Sequence, residues 1–521
     1  MAETPELKAR AAAALAELVR LRHMVATEGR RLYRGWRKRI VRAAFAPSAL
    51  NFAHYLVLRR HDLRPLQRRL MALGISSLGR LEGRVLVSLD AVIVALAALA
   101  DEAVKNCRAP SEARFFRGET RLAAQAAGIF GPPHRGRTGR ILVTLPTEAA
   151  DDPGLIEALA TRGADAMRIN CAHDSRAVWT RMVANIRAAE GKIGRRLPVL
   201  MDIAGPKVRT DRVLTPPDRS RLHIGDIALL APEILPALPE VPFQLTCTEP
   251  RIFGSIHVGD AVSIDDGQLQ GAVIGEAHGG YLVRIARGKL AGVGLRPGKG
   301  LNFPDTELAL DPLTAKDRED LDFVAANADM IGHSFVQNAD HVAALQGELS
   351  RRRSDWQSIA LVGKIETPRA VRNLPEIIVQ AAGHQPFAVM IARGDLAVEM
   401  GFERVAEMQE EILWLAEAAN VPVIWATQVL EDLVKKGLPS RGEMTDAAMA
   451  ARAECVLLNK GPNVAAAVDV LDRLLRRMGE HQIKKTPTLR ALRSWPDRSA
   501  DSVRATQRPS GPRAPRRTTV S

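Results

Sequence analysis

Cysteine is scarce in this chain. The four residues present, Cys107, Cys171, Cys247 and Cys455, are far apart and in no ligand or redox spacing. That argues against a disulfide scaffold or a cysteine-bound metal site, and it fits a reducing compartment. Long apolar runs are missing too. The longest, Ala91 to Ala100, is half of what a helix needs to span a bilayer, and the first residues lack the layout of a secretory signal. The expectation is a cytoplasmic protein with no membrane segment.

Acidic residues are short at both ends. Residues 1–69 hold 16 Lys/Arg against five Asp/Glu, and residues 484–521 hold ten against two. These segments carry +11 and +8 of the net +14, which leaves −5 for the rest, so the basicity belongs to the termini. The run Arg30-Arg-Leu-Tyr-Arg-Gly-Trp-Arg-Lys-Arg39 has no groove-reading motif beside it. It reads as a solvated helix face rather than a nucleic-acid site.

Along the chain, residues 1–45 show alanine-rich helical periodicity, and Leu50–Leu58 and Leu81–Ala100 carry apolar faces at 3.6 spacing. Residues 107–139, rich in Gly, Pro and Arg, read as a linker. From 140 onward, short apolar runs alternate with helical patterns. Eight such runs are counted: Ile141–Leu145, Ala166–Asn170, Val199–Ile203, Met330–Phe335, Ile359–Ile365, Ala388–Ala392, Val421–Ala426 and Cys455–Asn459. Eight β/α units predict an α/β fold, a (β/α)₈ TIM barrel.

Between Thr210 and Pro304 the rhythm breaks into short alternating strands with turn signals at Gly259-Asp260, Asp265-Asp-Gly267 and Gly279-Gly280. This predicts a small all-β domain inserted after the third barrel strand, overhanging the catalytic mouth as a lid. The expected division is an N-terminal helical domain and linker at 1–139, barrel at 140–210 and 305–485, the inserted lid at 211–304, and a disordered basic tail at 486–521.

The chemistry concentrates in two strand ends, Ala360-Leu-Val-Gly-Lys-Ile-Glu-Thr367 and Ala388-Val-Met-Ile-Ala-Arg-Gly-Asp-Leu396. Each is an apolar run ending abruptly in charge, the form of a parallel barrel delivering groups at its C-terminal face. Lysine beside two carboxylates suits a divalent metal, Mg²⁺ or Mn²⁺, bridged to an anionic, phosphorylated substrate.

Residues 140–480 resemble the pyruvate kinase family. The motifs that carry the resemblance are Met167-Arg-Ile-Asn-Cys-Ala-His173, Met201-Asp-Ile-Ala-Gly-Pro-Lys-Val-Arg209, Gly363-Lys-Ile-Glu366, Ala392-Arg-Gly-Asp-Leu396 and Ala426-Thr-Gln-Val-Leu-Glu431. Pro439-Ser-Arg-Gly-Glu443 and Thr445-Asp446 follow in order. The resemblance implies transfer of phosphate from phosphoenolpyruvate to ADP, giving pyruvate and ATP, in a homo-oligomer assembled through the barrel. It implies Lys364 and Arg168 on the phosphoryl group and Glu366 and Asp395 on the divalent metal. It places the backbone of Gly394 and Asp395 on the substrate carboxylate, and Thr427 near the enolate carbon. Asn170, His173, Arg209 and Lys299 fall on the nucleotide side.

The sequence also departs from the family. Asn459-Lys-Gly-Pro-Asn463 stands where the family has a Ser-Gly-Glu-Thr-Ala loop, and the family's usual C-terminal domain is not recognised. Around the monovalent-cation region, formed by Asn170, Ala172, Asp202 and Ile203, Lys207 replaces a glutamate typical of K⁺-requiring members. The resemblance thus implies that K⁺ is not required. Two alternatives stand beside the kinase: a lyase or aldolase on the related phosphoenolpyruvate-type barrel, and a catalytically silent regulatory protein. The inserted domain favours the kinase over a lyase, which needs no nucleotide lid.

Overall fold

The computed structural model describes residues 4–479, apart from 105, 106, 135 and 237. The expected tail at 486–521 lies outside them. The chain opens with α1 (Thr4–Trp36), α2 (Ala46–Leu58), α3 (Arg64–Ala72) and α4 (Val85–Ala100). Alanine and leucine along one side of α1, among them Ala11, Ala14, Leu15 and Leu18, are buried with α2 and α4 in one apolar cluster. That cluster runs on without a break into the barrel's outer helices. The N-terminal helices therefore share a core with the barrel.

One segment, Glu82–Ala100, is long and apolar enough to cross a membrane by length and composition. The shorter run read in the sequence missed it because Asp90 interrupts the apolar stretch. Half of that segment is buried inside the protein, and Asp90 is paired with Arg22 of α1 at 2.8 Å.

The stretch expected as a linker instead holds α5 (Glu112–Phe115) and α6 (Arg117–Phe130). Ala126, Ile129 and Phe130, spaced i, i+3 and i+4, are buried against interior residues of the barrel such as Ala166, Met330, Ala360 and Cys455. These four are the first residues of their strands, so α6 closes the floor of the barrel. Composition hid this helix, because a short apolar face among Gly, Pro and Arg is stabilised by tertiary packing rather than by propensity.

The barrel begins with β1 (Arg140–Thr144), α7 (Pro153–Arg162), β2 (Ala166–Asn170), α8 (Arg176–Ile193) and β3 (Val199–Asp202). The insertion follows: β4 (Thr210–Leu214), β5 (Arg221–Leu222), β6 (Ile227–Leu230), β7 (Phe243–Cys247), β8 (Ala261–Ile264), β9 (Leu269–Ala277), β10 (Gly280–Gly288), β11 (Val293–Gly294) and β12 (Leu301–Asn302). Seven of these strands form one sheet in the order β12-β8-β9-β10-β6-β7-β4, and β11 pairs with β5. The sheet has an apolar cluster of its own.

The chain then returns to the barrel through α9 (Ala315–Asn327), β13 (Met330–His333), α10 (Ala339–Arg352), β14 (Ala360–Ile365), α11 (Pro368–Ala382) and β15 (Phe387–Ala392). It finishes with α12 (Arg393–Met400), α13 (Phe402–Ala418), β16 (Val423–Ala426), α14 (Glu431–Lys436), α15 (Arg441–Ala450), β17 (Cys455–Leu458) and α16 (Val464–Gly479). Eight strands close in the order β1-β17-β16-β15-β14-β13-β3-β2, every pair parallel. All eight expected strands are present, within two residues at each end.

Candidate active site

The C-terminal ends of β2, β3, β13 and β14 lie side by side, with Asn170 level with Asp202 and Asp202 level with Gly332. Position 332 admits only glycine, because a Cβ there would lie 2.1 Å from Asp202 Oδ1. Asp202 is buried and organises two cations. Arg168 donates to its Oδ2 through Nε (2.9 Å) and a terminal nitrogen (2.5 Å), and Lys364 Nζ lies 3.6 Å from the same oxygen. Burial raises the Asp202 pKa, but Lys364 and Arg168 outweigh it and hold the carboxyl below its ordinary value.

Lys364 completes the cluster. Its ammonium donates to Ser334 Oγ at 2.8 Å and is 3.0 Å from Glu366 Oε1. Burial opposes the charge, yet Asp202 and Glu366 keep the pKa above that of an ordinary lysine. Glu366 itself is buried, and its Oε2 accepts from the Phe335 amide at 2.6 Å. Burial, reinforced by Asp395, pushes its pKa up against the pull of Lys364. Three of the expected residues, Arg168, Lys364 and Glu366, are thus brought into one cradle.

Asp395 lies in the first turn of α12. The Lys207 ammonium is 2.6 Å from its Oδ1 and 3.3 Å from Asp266 on the inserted sheet. Burial works against the Lys207 charge, and Asp395 and Asp266 more than restore it. The lysine was expected beside Asn170 and Asp202; its ion pairs instead lie on the Asp395 side, with Asp395 and Asp266.

Thr427 sits at φ +64° and turns its Oγ1 onto the start of α12, where it accepts from the Gly394 amide at 2.7 Å. The Gly394 N–H, expected to be free for a substrate carboxylate, is therefore engaged in this structure. Arg393 is an anchor. It donates to the Ala426 and Thr427 carbonyls (3.0 and 2.5 Å) and pairs with Asp446.

The remaining expected residues form a looser rim. Asn170 Oδ1 accepts from the Ala172 amide at 3.2 Å. The His173 pKa is lowered by burial and by Lys460 of the departing Asn459–Asn463 loop. Arg209 donates to the Gly298 carbonyl at 3.0 Å, and Lys299 pairs with Asp265 at 2.9 Å. Both are thus occupied within the inserted sheet.

Sequence reasoning missed Thr144, Ser334, Asp266 and Glu399. Thr144 accepts from Arg168 at 3.1 Å. Ser334 holds Lys364 and donates to the Ile203 carbonyl at 2.6 Å. Burial pushes Glu399 up to about 7, and its Oε1 accepts from Asn302 of the inserted sheet at 2.6 Å. Thr144 and Ser334 stand at or just past a barrel strand's C-terminal end, the one signal that could have found them.

Glu366 and Asp395 offer hard carboxylate oxygens, a donor set that fits Mg²⁺ or Mn²⁺ completed by substrate and water oxygens. Among the described residues no cluster of three or more His, Cys, Asp or Glu offers a fuller cage.

The family model "Pyruvate kinase, barrel domain" matches residues 136–464. A pyruvate kinase of Methylorubrum extorquens is 32% identical over 376 residues, 71% of this chain and 74% of its own length. One of Agrobacterium vitis is 30% identical over 375 residues, 68% of this chain and 72% of that protein. The crystal structure of a pyruvate kinase from Cryptosporidium parvum aligns with a TM-score of 0.59 and 25% identity, over 69% of this chain and 73% of that one. The helices before residue 136 lie outside the family match.

Proposed function

Because the chain belongs to the pyruvate kinase family, we propose that it transfers the phosphoryl group of phosphoenolpyruvate to ADP, giving pyruvate and ATP. The observation that carries this reading is the pair of cations, Arg168 and Lys364, gathered on buried Asp202 at the barrel mouth. A phosphoryl group in transit spreads negative charge over its equatorial oxygens, and two preorganised cations in a low-dielectric pocket stabilise that charge without reorganising. Lys364 neutralises the transferring group and Arg168 orients it. Glu366 and Asp395 would hold Mg²⁺ or Mn²⁺, which when bound supplies further positive charge to the enolate and phosphoryl oxygens. Thr427 orients the substrate near the carbon that gains a proton. Asn170, His173, Arg209 and Lys299 form the nucleotide side, Lys299 from the lid. Lys207 supplies one positive charge at the mouth, so no K⁺ is needed.

The deciding measurement is pyruvate release from phosphoenolpyruvate and ADP, coupled to lactate dehydrogenase, with Mn²⁺ or Mg²⁺. Turnover that requires both substrates and the metal is expected. Its absence sinks the reading.

One contact favours a second reading. The Lys207 ammonium occupies an oxygen of Asp395 that a metal would use. A protein that binds phosphoenolpyruvate without turning it over would show saturable binding by calorimetry and no pyruvate.

A further inference from the structure

The inserted sheet is joined to the barrel by two stems, residues 203–209 going out and 300–304 coming back. Both stems reach the same helix. On the outgoing stem, Lys207 is held 2.6 Å from Asp395. On the returning stem, Asn302 Nδ2 donates to Glu399 Oε1 at 2.6 Å. Between them Gly267, at the turn of the β8–β9 hairpin, faces Val398; a Cβ added there would sit 3.5 Å from the valine Cγ2. Residues 395, 398 and 399 are spaced i, i+3 and i+4, so all three contacts fall on one face of α12. The N-terminal end of this eight-residue helix, next to Asp395, is clamped to the barrel by Arg393 and Thr427.

Resting on the function proposed above, we propose that Glu399 is a positioning residue. Its hydrogen bond with Asn302 latches the returning stem of the lid to the helix that carries Asp395, so lid closure and placement of Asp395 become one event. Asn302 is buried and Glu399 is half-buried, so removing Glu399 leaves the Asn302 amide without its acceptor away from water. The two stems and the start of α11 surround a cavity of about 430 Å³, and Lys207, Asn302 and Glu399 line its inner wall. Opening the lid must part the wall at the Asn302–Glu399 bond. Glu399 touches no reacting atom and acts through the lid.

Asn302→Ala and Glu399→Ala are each expected to raise the KM for ADP roughly tenfold, the scale of one hydrogen bond to a buried or charged group, while kcat changes less than about threefold. Glu399→Gln keeps an acceptor oxygen and is expected to stay within about threefold of the parent in KM. Since both alanine changes remove the same bond, the double variant should match the singles rather than multiply them.

Backbone hydrogen exchange at Leu301, whose amide donates to Val208 across the stems at 2.9 Å, reads the latch without turnover. It should quicken in both alanine variants and not in Glu399→Gln. Unchanged KM and unchanged exchange in both alanine variants would overturn the latch, as would a double variant whose effects multiply. A parent protein that does not consume phosphoenolpyruvate and ADP overturns the functional reading instead, and the exchange comparison then decides the latch alone.

Discussion

Lys364 is where the charges of the site meet, since its ammonium faces Asp202, Glu366 and Ser334 at once. Lys364→Met keeps most of the side-chain volume and removes only the charge. It should lower kcat by at least about 10²-fold, the scale of one lost electrostatic contact to a transition state. Near-normal turnover in the coupled assay would move phosphoryl binding elsewhere. Lys207 raises a different question, because its charge lies against Asp395 and Asp266. A K⁺ ion added beside it would be repelled. Turnover is therefore expected with tetramethylammonium as the sole monovalent cation, and Lys207→Glu should lose it. Strict dependence of the parent on K⁺ would refute the charge replacement.

At the scale of elements, α6 and the barrel strands show opposite kinds of legibility. Each barrel strand is buried on both faces and must read as a short apolar run bounded by charge or turn residues, so all eight could be picked out. The α6 helix has only a narrow apolar face, and what buries it is the lower end of a barrel assembled from strands up to 325 positions later, as with Cys455, which shares a buried cluster with Phe130. Phe130→Ala should lower the unfolding free energy by roughly 3–5 kcal/mol, the usual range for a buried phenylalanine. Urea unfolding monitored by circular dichroism measures it. A loss under about 1 kcal/mol would mean that α6 does not close the floor.

Over the whole molecule, the N-terminal helices and the barrel meet across buried carboxyls. Glu82, in the turn before α4, is pushed up to about 8 by burial and by Glu417 of α13. Glu417 is itself raised by burial, and Glu454 beside β17 reaches about 7 for the same reason. The unfolded chain would release these protons near the ordinary pKa of about 4.3, whereas the folded protein keeps them. Their stabilising contribution is complete below the unfolded value and is lost as pH rises through 7 to 8. The melting temperature should accordingly fall between pH 6 and pH 8.5, and Glu82→Gln should flatten part of that slope. A melting temperature independent of pH across this range would show that the carboxyls are not held protonated.

The eight barrel strands, the place of the insertion and the charged strand ends that carry Lys364, Glu366 and Asp395 were legible in the sequence, whereas Arg168 and Thr427 were singled out by the motifs that resemble the pyruvate kinase family. Each of these follows from local pattern, an apolar strand run or a motif at its end, and local pattern is written in consecutive residues. What those residues touch became visible only in the folded molecule. Ser334 under Lys364, Lys207 on Asp395, the Gly394 amide held by Thr427 and Asn302 on Glu399 join residues 30 to 188 positions apart. Such contacts depend on barrel closure and on the angle of the lid, which no single stretch encodes. The shared core of the N-terminal helices has the same origin, because an amphipathic face shows that something covers it and not which surface does.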